Sequence, residues 1–455
     1  MSQNADMGSS VGSAVVIKRY LRSGSTRHAI ALGLGTAIGQ LAVTVASPVW
    51  SHLYQPADFG KYGLMVAFLT TATAATSLRY DLAIPVARSD EESIRLVLLS
   101  ILCAIPVSLL AGAVCAWFTS FSLFGFGRLP AWSAVFVMVT LALTSIYSTL
   151  RFWHVRNAEF GEISNSLVAQ GVGRALTPIA LAPLSPGWVG LLAGELLGRT
   201  LGIWKLGKPL IPLVREVTKN TSMRQLGQLL RQYQRYPLVF LPSSVLDAAS
   251  SAVALPVVVA LFGVATAGEF LLAQQIVMAP AAFIGGSLRD IIHSRLVPCA
   301  RDNPSALTRI VRQTAIKLLL LATVTYLPLA CLAPIVATQV FGRSWATVGP
   351  LVSIMCPAAV IMVAVTPISR AMVFSRVPQI KFAADLVKLI LPAGGLIIGA
   401  QIDHHSLTMS VIAFTVLTAL SYAWYFQVIM YSIRESNQLN LGIYKPESTS
   451  SPPEP

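Results

Sequence analysis

The chain has 455 residues, of which 55% are hydrophobic and only 11% are charged. Average soluble domains carry about 25% charged residues, so this composition excludes an ordinary water-soluble fold and indicates an integral membrane protein. The net charge of +14 would suit a nucleic-acid partner, but the basic residues lie between apolar runs and are explained by membrane topology.

Apolar runs of the length that an α-helix needs to cross a bilayer, about 20 residues, recur throughout the chain. A transmembrane barrel would instead show alternating segments of about ten residues. The sequence therefore predicts an all-α polytopic membrane protein with about twelve transmembrane helices. The predicted spans are 28–50, 60–78, 96–118, 131–150, 164–183, 187–204, 238–261, 266–288, 318–340, 347–369, 380–400 and 407–432.

Lysine and arginine are concentrated in alternate loops. If the N-terminus lies inside, the outer loops hold only Lys61, Arg128 and Arg343, whereas the inner segments hold nearly all the other basic residues. The densest inner sets are 205–235 and 295–317. This asymmetry follows the positive-inside rule and predicts that both termini are cytoplasmic. No nucleic-acid partner is predicted, because the positive net charge comes from basic residues in the predicted inner loops and is explained by the membrane topology.

Two apolar segments about two hundred residues apart match each other at one constant offset. Each segment is followed by a helical run that ends in Ser-Leu-Arg, at residues 77–79 in the first copy and 287–289 in the second. The pattern predicts two duplicated six-helix bundles, an arrangement in which carriers place the substrate path between the halves. The matched residues are Pro48, Leu53, Tyr54, Ala57, Gly60, Tyr62 and Leu64 with Pro256, Leu261, Phe262, Ala265, Gly268, Phe270 and Leu272.

The predicted organisation places a basic linker at 205–237 between the two bundles, as a natural hinge. Met223, Leu226, Leu230 and Tyr233 recur there at helical spacing after the capping run 220–222, which predicts an amphipathic helix. This helix either lies in the headgroup layer or is an ordinary positive-inside loop. The other predicted regions are a cytoplasmic tail at 1–27, the N-terminal bundle at 28–204, the C-terminal bundle at 238–432 and a disordered cytoplasmic tail at 433–455.

Signals of enzymatic chemistry are weak. The sequence has no Gly-x4-Gly-Lys-Ser/Thr loop for nucleotide phosphates, and none of its five cysteines is in a CxxC spacing. The short outer loops carry few carboxylates, namely Asp58, Glu269 and Asp403. A protein without enzymatic activity, cofactor or metal site is predicted.

Charged residues inside the predicted spans are costly and are candidates for function. Arg174 lies close to the predicted bilayer midplane in span 5, with no acid three or four residues away on its helix. Asp247 is about equally deep in span 7, so the two could pair across the halves or face an aqueous cavity separately. Two further pairs have the spacing to neutralise each other on one helix face, as structural pairs or as substrate contacts: Glu195 with Arg199, and Asp385 with Lys388.

Arg79 and Arg289 end equivalent spans in the two halves, on the predicted inner side. They either snorkel to the headgroups or flank the mouth of the path, where a phosphate-bearing substrate would enter. Arginine suits phosphate because its planar fork donates two hydrogen bonds and stays charged. Asp81 lies two residues from Arg79 and cannot share its helix face. The candidate substrate-binding residues are Arg174, Asp247, Arg79, Arg289, Asp81 and Arg199.

The first ninety residues carry a pattern that resembles the Wzx-type oligosaccharide flippases. These form the polysaccharide branch of the multidrug/oligosaccharidyl-lipid/polysaccharide exporter superfamily. The pattern consists of Gly35-Thr36, Gln40, Ser47-Pro48, the run Leu53-Tyr54-Gln55-Pro56-Ala57-Asp58-Phe59-Gly60 and the run Leu78-Arg79-Tyr80-Asp81-Leu82-Ala83-Ile84.

The resemblance implies a carrier in the bacterial inner membrane, working by alternating access for surface or exopolysaccharide biosynthesis. It would move an undecaprenyl-diphosphate-linked oligosaccharide from the cytoplasmic to the periplasmic leaflet through a cationic cavity, which Arg174 fits. The implied partners are that lipid-linked substrate, membrane lipids, a coupling ion, and polysaccharide polymerase or chain-length proteins.

Two alternatives stay open. A multidrug or cation exporter of the same superfamily should place unpaired acids in its cavity. A membrane polysaccharide polymerase or ligase would need catalytic groups on outer loops, which are short here.

The topology can be tested with fusions to a reporter that is active only in the periplasm. Fusions after Asp58, Arg128 and Arg343 should be active, because these residues lie in loops poor in basic residues. Fusions after residues 88, 219 and 301 should be silent. The reverse pattern would contradict the predicted orientation.

Overall fold

The computed structural model describes residues 24–184, 187–281, 304–369, 378–403 and 406–438. Within these ranges the chain is helical and contains no strand. Short 3₁₀ helices at Tyr80–Val86 and Leu123–Arg128 connect longer elements of the N-terminal half. The long helices of that half are α1 (Gly24–Leu53), α2 (Pro56–Thr73), α3 (Asp90–Ser120), α4 (Ser133–Arg156), α5 (Phe160–Leu181) and α6 (Val189–Gly207).

Two short helices form the linker, α7 (Leu210–Asn220) and α8 (Met223–Gln232). A π-helical turn at Tyr236–Phe240 leads into the C-terminal half. The helices of this half are α9 (Leu241–Ala252), α10 (Ala254–Phe262), α11 (264–281), α12 (Pro304–Phe341), α13 (Val348–Val365), α14 (Pro378–Ile402) and α15 (Leu407–Gln438).

Every predicted span overlaps one helix, except that 238–261 is divided among the π-helical turn, α9 and α10. The end of the predicted span 266–288 lies outside the described residues. Six helices in the described ranges are long and apolar enough to cross a bilayer. The helical segments Tyr236–Ala252 and Ala254–Phe262 meet at an angle of 43°, and they count as a seventh span when the bent pair is taken as one. The predicted fold class is confirmed as an all-α membrane protein with two six-helix bundles.

The two halves repeat the same helix neighbours. In the N-terminal half, α5 packs against α1 and α6, and α3 packs against α4. In the C-terminal half, α14 packs against α9, α10 and α15, and α12 packs against α13. The first, fifth and sixth spans of each half therefore form one group, while the third and fourth form another. The duplicated sequence pattern thus corresponds to a repeated arrangement of helices.

The duplicated segments meet each other at one end of the molecule. A Cβ atom built on Gly60 would lie 1.8 Å from the carbonyl oxygen of Val264, and one built on Gly268 would lie 1.8 Å from that of Pro56. The two contacts are equivalent, because the constant offset between the duplicated segments relates Gly60 to Gly268 and Pro56 to Val264. The first turns of α2 and α11 therefore touch backbone to backbone, which only glycine permits.

Trp345 completes the seal at this end. Its indole Nε1 donates a hydrogen bond of 2.9 Å to the carbonyl of Ser51 in the other half. Its ring meets that of Phe59 edge to face, with centroids 4.9 Å apart, and the tryptophan is 1% exposed. The halves are thus closed at the end that carries the predicted outer loops.

Local capping fixes where α2 starts. Pro56 occupies the first turn, where a missing N–H costs nothing, and the Asp58 carboxylate accepts a hydrogen bond from the backbone of Gln55. The same carboxylate accepts a 3.1 Å hydrogen bond from the backbone N–H of Trp188 at the start of α6. Asp58 therefore ties two helices together at the closed end.

The linker packs on the N-terminal half. Ser222 caps α8 through reciprocal hydrogen bonds with Gln225. Leu226 and Leu229 are buried against the N-terminal bundle, whereas Leu230, which the sequence pattern assigns to the apolar stripe, is 38% exposed.

Glu92 at the start of α3 holds the end of the linker. Its carboxylate accepts hydrogen bonds from Gln232 Nε2 at 2.9 Å and from the Tyr233 hydroxyl at 3.1 Å. The chain is consequently held against the N-terminal half as far as Tyr236, which packs on the same apolar cluster as Tyr233. The rest of the π-helical turn, between Tyr236 and α9, is where the connection to the second half can bend.

Gly60→Ala should loosen the closed end, because the added methyl group cannot fit beside the Val264 carbonyl. Maleimide labelling of a cysteine at the buried position Ala267, introduced in a cysteine-free background, should become several-fold faster. The matched control is Gly394→Ala, since a Cβ there meets nothing within 4 Å. Equal labelling rates in the two variants would contradict the importance of the glycine contact.

Candidate functional site

A cavity of about 480 Å³ lies between the halves. Arg79 is the lining residue from the N-terminal half, and the remaining wall comes from the C-terminal half. Lys388 on α14 and Asp247 on α9 contribute charge, while Tyr422 and Tyr425 on α15 contribute aromatic rings. The volume is within the roughly 300–1,000 Å³ of pockets that bury drug-sized ligands.

Arg79 reaches the cavity because the second span ends early. Helix α2 stops at Thr73, short of the predicted end at residue 78, and a turn follows. Leu78 and Arg79 have φ angles of 48° and 64°, the left-handed region that side chains rarely adopt. Such a conformation costs on the order of 1–3 kcal/mol per residue and is concentrated at functional sites. The turn therefore points to a requirement for the position of Arg79.

The guanidinium of Arg79 forms no ion pair with any described residue, although the Asp247 carboxylate lines the same cavity. The Nε atom of Arg79 is buried without a hydrogen-bond partner among the described residues. An unpaired cation in a partly desolvated cavity attracts anions strongly, since the local dielectric is low. Arg79 is thus a candidate anion-binding group.

Lys388, in contrast, is fully committed to two acids. Its Nζ lies 2.8 Å from a carboxylate oxygen of Asp385 and 3.1 Å from one of Asp247. It also lies 4.9 Å from the centroid of the Tyr425 ring. Asp385 is 0% exposed, whereas the Asp247 side chain is 61% exposed toward the cavity. The pairing of Asp385 with Lys388 follows from the sequence spacing, but the second acid comes from another helix.

The N-terminal half has its own buried ion network around Glu195. One carboxylate oxygen lies 2.8 Å from Arg174 Nε, and the other lies 2.6 Å from an Arg199 nitrogen. Glu195 is 3% exposed, and the hydroxyl of Tyr62 lies 3.5 Å from it. Arg174 therefore pairs with an acid on the neighbouring helix. The alternative in which Arg174 pairs with Asp247 across the halves is wrong in this structure, since Asp247 pairs with Lys388.

Asp81 is a structural residue in this state. It is 2% exposed, and its carboxylate accepts a hydrogen bond of 2.8 Å from the hydroxyl of Ser148 on α4. It does not line the cavity that the described residues form, so the predicted substrate contact is not present here. Arg289, the other predicted partner of Arg79 at the mouth, lies outside the described residues.

Sequence reasoning missed the hydroxyl residues that line the cavity. A serine-rich face in an otherwise apolar span could have revealed those on α9, namely Ser243, Ser244, Ser250 and Ser251. Lys388 was recognised only as one half of a local pair. Among the described residues, no group of His, Cys, Asp or Glu is arranged to hold a metal ion.

No protein-family model matches the sequence, and no curated protein matches it either. Solved structures do match over nearly the whole chain. A variant of the Vibrio cholerae MATE transporter VcmN is 14% identical, with 90% of this chain and 97% of that chain covered and a TM-score of 0.58.

Two further matches are conformations of a multidrug resistance MATE family transporter of the MOP superfamily. The outward-facing one is 15% identical, covers 92% of this chain and 98% of that chain, and has a TM-score of 0.54. The inward-facing one is 16% identical, covers 91% and 96%, and has a TM-score of 0.52. The chain is thus a multi-pass membrane protein that shares the fold of these solved transporters.

Glu195→Gln should destabilise the protein strongly, because it leaves two guanidinium groups without their shared carboxylate. Removing one partner of a buried ion pair costs about 3–5 kcal/mol. The measurement is the thermal denaturation midpoint of purified protein, with the exposed Glu162→Gln as the matched control. Combining Glu195→Gln with Arg174→Gln should recover part of the loss. A midpoint equal to that of the control would contradict the structural role of the network.

Proposed function

We propose that this protein is an alternating-access carrier that moves an anionic, lipid-linked oligosaccharide across the bacterial inner membrane. The substrate class is an undecaprenyl-diphosphate-linked glycan, and the direction is from the cytoplasmic to the periplasmic leaflet. The observation that carries the proposal is the cavity between two repeated bundles, with an Arg79 guanidinium that forms no ion pair with any described residue.

The arrangement of the halves supports a carrier. They are sealed at one end by Gly60, Gly268 and Trp345, while the cavity with Arg79 lies away from that seal. A duplicated pair of bundles can rock about such a site and open it to each side in turn. With the predicted topology, the present state faces the cytoplasm, where a lipid-linked glycan would be loaded.

The pairing of the charges supports an anionic substrate, because both acids near the cavity have a basic partner and Arg79 has no ion-pair partner among the described residues. Glu195 is held by two arginines, and Asp247 and Asp385 are held by Lys388. A carrier for cations would gain more from acids without internal partners. The guanidinium of Arg79, by contrast, is available to donate two hydrogen bonds to a phosphate group.

Export of drugs is the second candidate, and the fold comparisons favour it. The solved transporters that match this chain include proteins described by their multidrug resistance. Their identity to this chain is 14–16%, so they support the fold and leave the substrate to be tested. Asp247, which is exposed to the cavity, is the acid that a cationic drug would contact first.

A deletion strain separates the two candidates. Cells that lack the protein should accumulate the complete undecaprenyl-linked unit on the cytoplasmic leaflet, protected in intact spheroplasts from an added glycan-cleaving enzyme. Arg79→Gln should reproduce this defect and lower transport roughly tenfold or more, since a hydrogen bond to a charged group contributes about 1.5–3 kcal/mol. Arg79→Lys should retain part of the activity.

The matched control is Arg224→Gln, because Arg224 is an exposed arginine of the linker outside the cavity. All variants must be compared at equal membrane abundance. If the added enzyme cleaves all of the completed undecaprenyl-linked unit in intact spheroplasts of the deletion strain, the proposal is contradicted. Increased sensitivity of that strain to ethidium, with unchanged glycan sidedness, would identify the protein as a drug exporter.

A further inference from the structure

Four hydroxyl groups on one wall of the cavity each donate their proton to a backbone carbonyl of their own helical segment. Ser250 and Ser251 on α9 donate to the carbonyls of Asp247 and Ala248, at 2.8 and 2.7 Å. Thr366 and Ser369, which follow α13, donate to carbonyls of their own helical segment at 2.7 and 2.8 Å. All four residues line the cavity.

This pattern decides what the wall can bind. A hydroxyl group has one proton to donate and two lone pairs that accept. Because each of these protons is used on a backbone carbonyl, the oxygens present lone pairs to the cavity. The wall is therefore rich in acceptors, and it is complementary to ligand groups that carry O–H or N–H donors.

The opposite chemistry is found at Arg79. A guanidinium donates and never accepts, so it is complementary to phosphate or carboxylate oxygens. A diphosphate has only acceptor oxygens when it is ionised, and it gains nothing from a wall of acceptors. The cavity thus has a donor at Arg79 and, on the C-terminal half, four acceptor hydroxyls that lie beside the donors Lys388, Tyr422 and Tyr425. These four hydroxyls are called the acceptor wall.

We propose that the acceptor wall, formed by Ser250, Ser251, Thr366 and Ser369, is a sugar-binding subsite that takes hydrogen bonds from the hydroxyl or amide groups of the substrate's glycan. The inference rests on the proposed function, because it places the glycan next to a diphosphate held at Arg79. Tyr422 and Tyr425 line the same cavity and offer ring surface for the apolar face of a sugar.

The test compares two probes that differ only by a sugar, undecaprenyl diphosphate and undecaprenyl-diphosphate-N-acetylglucosamine. Binding to the purified full-length protein in nanodiscs gives a dissociation constant for each probe. The wild-type protein should bind the sugar-bearing lipid more tightly. A variant that combines Ser250→Ala, Ser251→Ala, Thr366→Val and Ser369→Ala should lose roughly tenfold in affinity for this probe, because each neutral hydrogen bond contributes about 0.5–1.5 kcal/mol.

The same variant should bind the sugar-free lipid like the wild-type protein, whereas Arg79→Gln should weaken both probes by a similar factor. The matched control combines Ser120→Ala with Thr323→Val, since these exposed hydroxyls make the same backbone hydrogen bonds away from the cavity. This control should change neither affinity.

The possible failures are distinct. If the wild-type protein binds neither lipid, the proposed function is wrong and the sugar subsite is wrong with it. If it binds both lipids and the wall variant loses no affinity for the sugar-bearing one, only the subsite is wrong. If the wall variant loses affinity for ethidium and keeps its affinity for both lipids, the acceptor wall binds cationic drugs and the sugar assignment is overturned.

Discussion

The backbone contact between the starts of α2 and α11 is the constraint on which the arrangement of the molecule depends. Gly60 and Gly268 let two helices approach so closely that a methyl group on either would collide with a carbonyl oxygen. Gly60 meets the Val264 carbonyl in the same way as Gly268 meets the Pro56 carbonyl. The contact therefore lies on the axis that relates the two halves of the chain. It holds one end shut, and it leaves the space between the halves at the other end as the cavity.

The buried ion pairs of each half are satisfied within that half, which suits bundles that move as separate units. Glu195 joins two helices of the N-terminal bundle, and Lys388 joins two helices of the C-terminal bundle. None of these ion pairs crosses between the halves, so rocking would break no buried charge pair among the described residues. Arg79 is the exception to internal pairing. Its strained turn places an unsatisfied donor where a substrate can reach it.

The sequence was sufficient for features set by local pattern or repetition. Hydropathy located the spans, the constant offset predicted the duplicated bundles, and Ser222 marked the start of a linker helix. It was insufficient where distant helices decide the outcome. The partner of Arg174 depends on how α5 packs against α6, which spacing along one helix cannot reveal. The left-handed turn at Arg79 carries no glycine, so no local signal announces it.

The distances between the halves, measured at both ends of the molecule, test whether two rigid bundles rock about the cavity and open it to each side in turn. Spin labels on cysteines replacing Arg128 and Arg343 report on the closed end, and labels replacing Arg88 and Arg309 report on the opposite end. Pulsed electron spin resonance on the purified protein, with and without undecaprenyl-diphosphate-N-acetylglucosamine, gives both distributions. This lipid should populate a state in which the distance at the closed end lengthens while the distance at the opposite end shortens. Distances that stay fixed, or that change in the same direction, would contradict this rocking motion.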